Sequence, residues 1–160
     1  MIKQIRYWPD PILLEPTELW NFNQPQLDYT TLEQNLVDTL LSEKALGLAA
    51  NQIGYNFCVL AINTQKDSKV RIMYNPEFVD IDPNVVTDNE GCLSFPNTRL
   101  EVPRFRSVKL KWYDKDQTEY IRVFTDIDAR CLQHEIDHLK GKTFKDYVSD
   151  LKFRRAWKKS

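Results

Sequence analysis

The chain has two histidines, and both fall in one short segment, His134-Glu135-Ile136-Asp137-His138, four residues apart. On an α-helix, positions i and i+4 lie on one face, so the two imidazoles can converge on a single metal ion. Glu135 sits about 100° around the helix from His134. It can therefore stand beside such an ion without binding it, where a base for a water molecule belongs. A solvated helix that happens to carry these residues is the alternative reading. A catalytic site of this kind needs a third protein ligand and an open position.

Composition narrows the field. At 160 residues the chain is expected to form one domain, 1–160, with a real core. Hydrophobic residues make up 42% and charged residues 28%, ordinary for a globular protein. A net charge of −1 supplies no basic field, so nucleic acid is not expected as a substrate. No apolar run has membrane-spanning length, and Met1-Ile2-Lys3-Gln4-Ile5-Arg6-Tyr7 lacks a signal-peptide core, so the expected location is the cytoplasm. Cys58, Cys92 and Cys131 are odd in number and widely spaced, which favours reduced thiols, one of them available as a ligand. The four glycines, Gly47, Gly54, Gly91 and Gly141, each flank a stretch to which a role is assigned below.

Residues 1–26, punctuated by Pro9, Pro11, Pro16 and Pro25, read as an extended arm without chemistry, with Trp8 and Trp20 as packing anchors. Residues 28–41 read as a core helix: Asp28 caps it, and Leu32, Leu36, Val37, Leu40 and Leu41 share a face. The small apolar stretch 45–54 permits close backbone approach, either for packing or for an extended peptide. Residues 57–63 and 71–76 read as strands, the second continuing irregularly through 78–81. Glu90-Gly91-Cys92-Leu93-Ser94-Phe95-Pro96 reads as a bent, irregular segment rather than a central strand. Period-two alternation over 106–113 and 119–124 predicts an antiparallel hairpin. The motif helix follows, with Asp126 or Asp128 as N-cap and Gly141 as the C′ residue. The tail from Lys145 to Ser160 begins amphipathic, with Phe144, Tyr147, Val148 and Leu151, and ends basic and solvated. Strands between helices without βαβ alternation predict an α+β class, with mixed or antiparallel sheets around a central motif helix.

No third histidine exists, and no glutamate follows Glu135. Downstream, only Asp146 and Asp150 are candidates, both in exposed polar settings. Upstream, Cys92 lies in a Gly/Pro-shaped segment, and thiolate binds borderline and soft divalent metals strongly. By elimination, Cys92 is the favoured partner of His134 and His138.

Three blocks, Gly47-Leu48-Ala49-Ala50-Asn51-Gln52, Glu90-Gly91-Cys92-Leu93-Ser94 and Gln133-His134-Glu135-Ile136-Asp137-His138, resemble in order and spacing the signature motifs of peptide deformylases. The resemblance runs from Pro9-Asp10 to about Leu151. It departs from the family pattern at Ala45, where the family has a glycine. The short C-terminal end is similar to that of bacteriophage-encoded members, which weakens the expectation of a ribosome contact. The resemblance implies hydrolytic removal of the formyl group from N-formylmethionyl nascent peptides, by a monomer holding one divalent ion. Fe2+ is the implied native metal, with Zn2+, Ni2+ or Co2+ able to substitute. It implies Glu135 as base, with the Gln52 amide and the Leu93 N–H as oxyanion donors. It places Leu46, Ile127 and Cys131 around the methionine side chain, the backbone of Leu46, Gly47 and Gly91 along the peptide, and Arg99 near the substrate chain. A Glu90–Arg104 pair would support the Cys92 loop. Two rival readings stand beside it: a zinc endopeptidase using Asp146 or Asp150, and a peptide- or metal-binding module without catalysis.

Overall fold

The computed structural model describes residues 1–158. In chain order the elements are α1 (Tyr29–Ser42), β1 (Gly47–Ala49), β2 (Val59–Thr64), β3 (Lys69–Ile81), β4 (Val85–Cys92), β5 (Phe95–Phe105), β6 (Ser107–Tyr113), β7 (Glu119–Thr125), α2 (Asp126–Leu139) and α3 (Asp150–Lys158). Short 3-10 turns occupy Pro11–Leu13, Ala50–Ile53 and Phe144–Tyr147. Five strands form an antiparallel sheet in the order β1-β2-β3-β6-β7, and β4 and β5 pair separately. The α+β class expected from the sequence is the one observed.

Alternation along β2 explains how the large sheet is covered. Val59 and Ala61 pack with Leu32, Leu36 and Leu40 of α1, while Leu60 and Ile62 pack with Leu132, Ile136 and Leu139 of α2. Successive strand residues point to opposite faces, so this strand feeds two cores and carries no polar face. Each fully buried aliphatic side chain contributes roughly 1.5–3 kcal/mol of burial free energy. The α1 start is as read: the Asp28 carboxylate accepts the Thr31 N–H at 3.0 Å. A third cluster, built on Phe95, Leu100, Val102, Phe144 and Phe153, lies against β5. There the N-terminal arm meets α3: Trp8 stacks on Phe95 at 5.7 Å and meets Phe153 and Trp157 edge-on at 5.3 and 5.5 Å.

Three expectations are corrected. The segment 90–96, expected to be irregular, is the tip of a long hairpin formed by β4 and β5. The bend is confined to a register shift between Gly91 and Cys92 and the turn Leu93-Ser94. Because this sheet has only two strands, Pro96 and Pro103 break no central ladder. At the head of α2, Thr125 occupies the N-cap position without a side-chain cap. Asp126 has φ +53 and lies 3.5 Å from Arg106, and Asp128 instead accepts the Gln65 and Lys66 N–H groups at 2.7 and 3.2 Å. In the tail, Leu151 is exposed and Phe153 is the buried anchor. The Lys158 side chain, Lys159 and Ser160 lie outside what the structure describes. Gly141 does close α2, at φ +76, where a Cβ would stand 2.6 Å from the Glu15 backbone.

Candidate active site

From Leu132 to Leu139 α2 is buried, so its polar residues must find partners within the protein. The turn after β4 brings Cys92 over the C-terminal half of this helix. The ligand atoms of Cys92, His134 and His138 all lie within 4.8 Å of one another, with Cys92 Sγ 3.3 Å from His138 Nε2. Metal–sulfur and metal–nitrogen bonds of about 2.3 and 2.0 Å at tetrahedral angles put donor atoms roughly 3.3–3.6 Å apart. The cluster therefore fits a divalent cation. Asp146 is not in it: its carboxylate accepts the Thr143 N–H at 3.1 Å, closing a 3-10 turn. Asp150 lies in the first turn of α3.

The imidazoles are oriented from behind. His134 Nδ1 lies 2.8 Å from Glu90 Oε1, which turns Nε2 toward the cluster. Glu90 accepts from Arg104 Nε and Nη2 at 2.9 and 3.0 Å and from Arg130 Nη1 at 2.6 Å. Arg104 Nη1 also reaches Asp137 at 2.6 Å, which accepts the Tyr147 hydroxyl at 2.7 Å. Burial alone would raise the Glu90 pKa, but hydrogen bonds from His134 and Arg104 hold it down to about 2. Burial opposes the charge on Arg104, and Glu90 and Asp137 outweigh it, so the guanidinium stays fully charged. The ring centroids of the two histidines are 5.0 Å apart. Burial and then the charge on His134 keep His138 well below the ordinary histidine range. Burial works against a proton on His134 too, yet Cys92 and Glu90 push its pKa well up.

Glu135 is buried, and its Oε2 has no hydrogen-bond partner among the described residues. Burial pushes its pKa up to about 7. Gln52 is fixed at both ends. Its Oε1 accepts the Ala49 N–H at 2.9 Å, so Nε2 faces the cluster, donating to Ser94 Oγ at 3.1 Å and lying 3.8 Å from Cys92 Sγ. Asn51 donates to the His138 carbonyl at 2.7 Å, joining the segment after β1 to α2.

Above this floor opens a cleft of about 1070 Å³, between β1 and the β4–β5 hairpin. Gln52, Cys92, Leu93, His134 and Glu135 line it, while His138 lies beneath, fully buried. All six residues expected around a substrate, Leu46, Gly47, Gly91, Arg99, Ile127 and Cys131, line it as well. Leu46 and Ile127 leave apolar surface exposed at its mouth. Gly47 is forced: a Cβ there would lie 2.7 Å from both Cys131 Sγ and Glu135 Cγ. The Leu46 carbonyl already accepts the Asn63 N–H at 2.8 Å. Arg99 pairs in register with Gly91 and donates to the Asn89 carbonyl at 3.2 Å.

The sequence reading passed over Arg130, Ser94, Asn51, Asp137 and Tyr147. Asp137, Ser94 and Asn51 carried a signal, since all three lie inside the motifs. Arg130 carried none: its further acceptors are the Val86 and Val102 carbonyls, which no side-chain pattern announces.

A helix presenting H-E-x-x-H beneath a cleft, with a thiol beside the two imidazoles and one carboxylate oxygen left without a hydrogen-bond partner among the described residues, places the chain among metal-dependent hydrolases. The sequence matches the model of the polypeptide deformylase family over residues 2–154. The chain belongs to that family, whose members remove the N-terminal formyl group from nascent peptides. It is 32% identical to peptide deformylase 1 of Shewanella oneidensis, over 99% of this chain and 93% of that one. It is 37% identical to peptide deformylase 1 of Rickettsia conorii, over 89% of each. Its fold is similar to the Ehrlichia chaffeensis peptide deformylase in complex with actinonin (TM-score 0.90, 30% identity, 99% of this chain and 95% of that chain). It is also similar to a class I type b peptide deformylase from Acinetobacter baumannii (TM-score 0.86, 26% identity, 92% and 99%). No described helix is long and apolar enough to cross a membrane.

Proposed function

We propose that this deformylase works as a single catalytic domain with Cys92, His134 and His138 as metal ligands and Glu135 as proton carrier. The observation that carries this reading is the convergence of one sulfur and two ring nitrogens within 4.8 Å, beside a buried carboxylate oxygen without a partner. A divalent ion in that cradle supplies Lewis acidity, lowering the pKa of water and polarising a carbonyl. Glu135 takes the proton of the attacking water and later delivers it to the leaving amine. The Gln52 Nε2–H and the Leu93 N–H donate to the formyl oxygen as it gains charge, and the Ala49 N–H on Gln52 Oε1 keeps the amide from flipping.

The peptide lies along two open strand edges, β1 and β4, with Gly47 and Gly91 admitting its backbone. Leu46 contributes its N–H, because its carbonyl is engaged by Asn63. Leu46, Ile127 and Cys131 surround the methionine side chain, and Arg99 reaches the chain beyond it. Fe2+ is the native metal, with Zn2+, Ni2+ or Co2+ as substitutes. A ferrous ion beside the Cys92 sulfur makes the enzyme sensitive to air. The protein works as a monomer in the cytoplasm.

Formate release from a short formyl-methionyl peptide tests this reading, using anaerobically purified protein of measured metal content. Turnover that tracks metal content is expected. Metal-loaded protein that releases no formate refutes it. Cys92→Ser separates it from an endopeptidase using an aspartate, since that substitution would spare the rival's metal.

A further inference from the structure

The N-terminal arm, which looked devoid of chemistry, is tied to both segments that bear the proposed oxyanion donors. The Arg6 N–H donates to the Gln52 carbonyl at 2.7 Å, and the Trp8 N–H donates to the Ser94 carbonyl at 3.0 Å. The two donors are separated by one residue, Tyr7, so this short stretch spans the two segments. The side chains complete the circuit, since Gln52 Nε2 donates to the fully buried Ser94 Oγ at 3.1 Å. Gln52 and Ser94 are 42 residues apart, and the arm links them by a second route.

The arm is itself held down. Trp8 stacks on Phe95, the residue after Ser94, and is flanked by Phe153 and Trp157 of α3. Ile5 and Tyr7 line the cleft on the same stretch, so the strap forms part of its wall. We infer that Arg6–Trp8 is a positioning strap that sets the spacing between the Gln52 amide and the Leu93 N–H. This rests on the reading of those two groups as oxyanion donors. No strap residue needs to touch the reacting atoms. Oxyanion donors act through fixed geometry, and a misplacement of about 1 Å costs on the order of 100-fold.

A double-mutant cycle on formate release, with metal content measured in every variant, tests the strap. Gln52→Ala is expected to lower kcat by about 100-fold, the loss of one donor. Trp8→Ala is expected to lower kcat about 10-fold with KM and metal content kept, and Trp8→Phe to recover most of it. In the Gln52→Ala background the Trp8→Ala penalty is expected to shrink below about 2-fold, because strap and amide act as one unit. A penalty equally large in both backgrounds overturns the strap and leaves the donors standing. A Gln52→Ala enzyme with normal kcat overturns the donor reading and the strap with it. Should Trp8→Ala not fold, Arg6→Pro removes one strap N–H and leaves the aromatic stack. It is expected to fall at least about 5-fold in kcat below Arg6→Ala, which keeps that N–H. Equal activity in these two variants overturns the proposal.

Discussion

Glu90 Oε1 lies 2.8 Å from His134 Nδ1, so the ring nitrogen that faces the cleft is selected from the opposite side of the imidazole. Groups that orient a metal-binding histidine in this way typically govern affinity by about 10–100-fold. Glu90→Gln is expected to weaken metal binding by that factor, read by competition with a chromogenic chelator. Unchanged affinity would contradict the assignment.

The same carboxylate links stability to pH. Burial raises the Glu90 pKa, but His134 and Arg104 bring it to about 2, below the usual 4.5. A depressed folded pKa means that the contribution is fully present above about pH 4.5 and is lost as pH falls through about 2. The stability gap between wild type and Glu90→Gln, measured on chelator-treated protein, should narrow across that window. A gap that does not change with pH would show that Glu90 is not held in this way.

Arg104 bridges two carboxylates with its own side chain almost wholly buried. Removing one partner of a buried ionic group typically costs about 3–5 kcal/mol. Arg104→Ala should therefore lower the thermal midpoint by roughly 10 °C in a protein of this size. A loss below about 1 kcal/mol in denaturant titration would mean that the carboxylates find other partners.

Gly47 leaves no room for a side chain against Cys131 and Glu135. Gly47→Ala is expected to cost about 1–3 kcal/mol by overpacking and to displace Glu135. Formate release should drop more than stability alone explains. Activity within about two-fold of wild type would show that Glu135 tolerates displacement.

Glu135→Ala is expected to keep its metal and lose about 10²–10⁴-fold in kcat. Metal retention together with near-normal turnover would remove Glu135 from the mechanism.

The helices α1 and α2, the β6–β7 hairpin and the clustering of His134 with His138 were legible for a common physical reason. Each rests on a pattern local in sequence: helical spacing of leucines, period-two alternation, or two imidazoles four residues apart. Cys92 was reachable because the chain offers so few other ligands. The β4–β5 hairpin was not legible. Five of the seven β4 side chains are exposed, so burial left no alternation there, and two prolines interrupt β5. Arg104 occupies a buried β5 position that reads as polar until its carboxylate partners are known. The start of α2 was misjudged because Asp128 spends its carboxylate on the Gln65 and Lys66 amides. Distant backbone acceptors leave no mark in a one-dimensional pattern.

The contact of Trp8 with Phe95 and Trp157 bears on how the protein folds. Trp8 precedes in the chain both of the rings that clasp it, Phe95 on β5 and Trp157 on α3. Without those rings the arm keeps its Ile5 contact with the α1 core and its Arg6 bond to the Gln52 carbonyl, but lacks the stack that seats Trp8. Pairings this distant in sequence are closed late and slowly. The seating of the arm on β5 and α3, and with it this part of the cleft wall, is thus expected among the last contacts to form in folding.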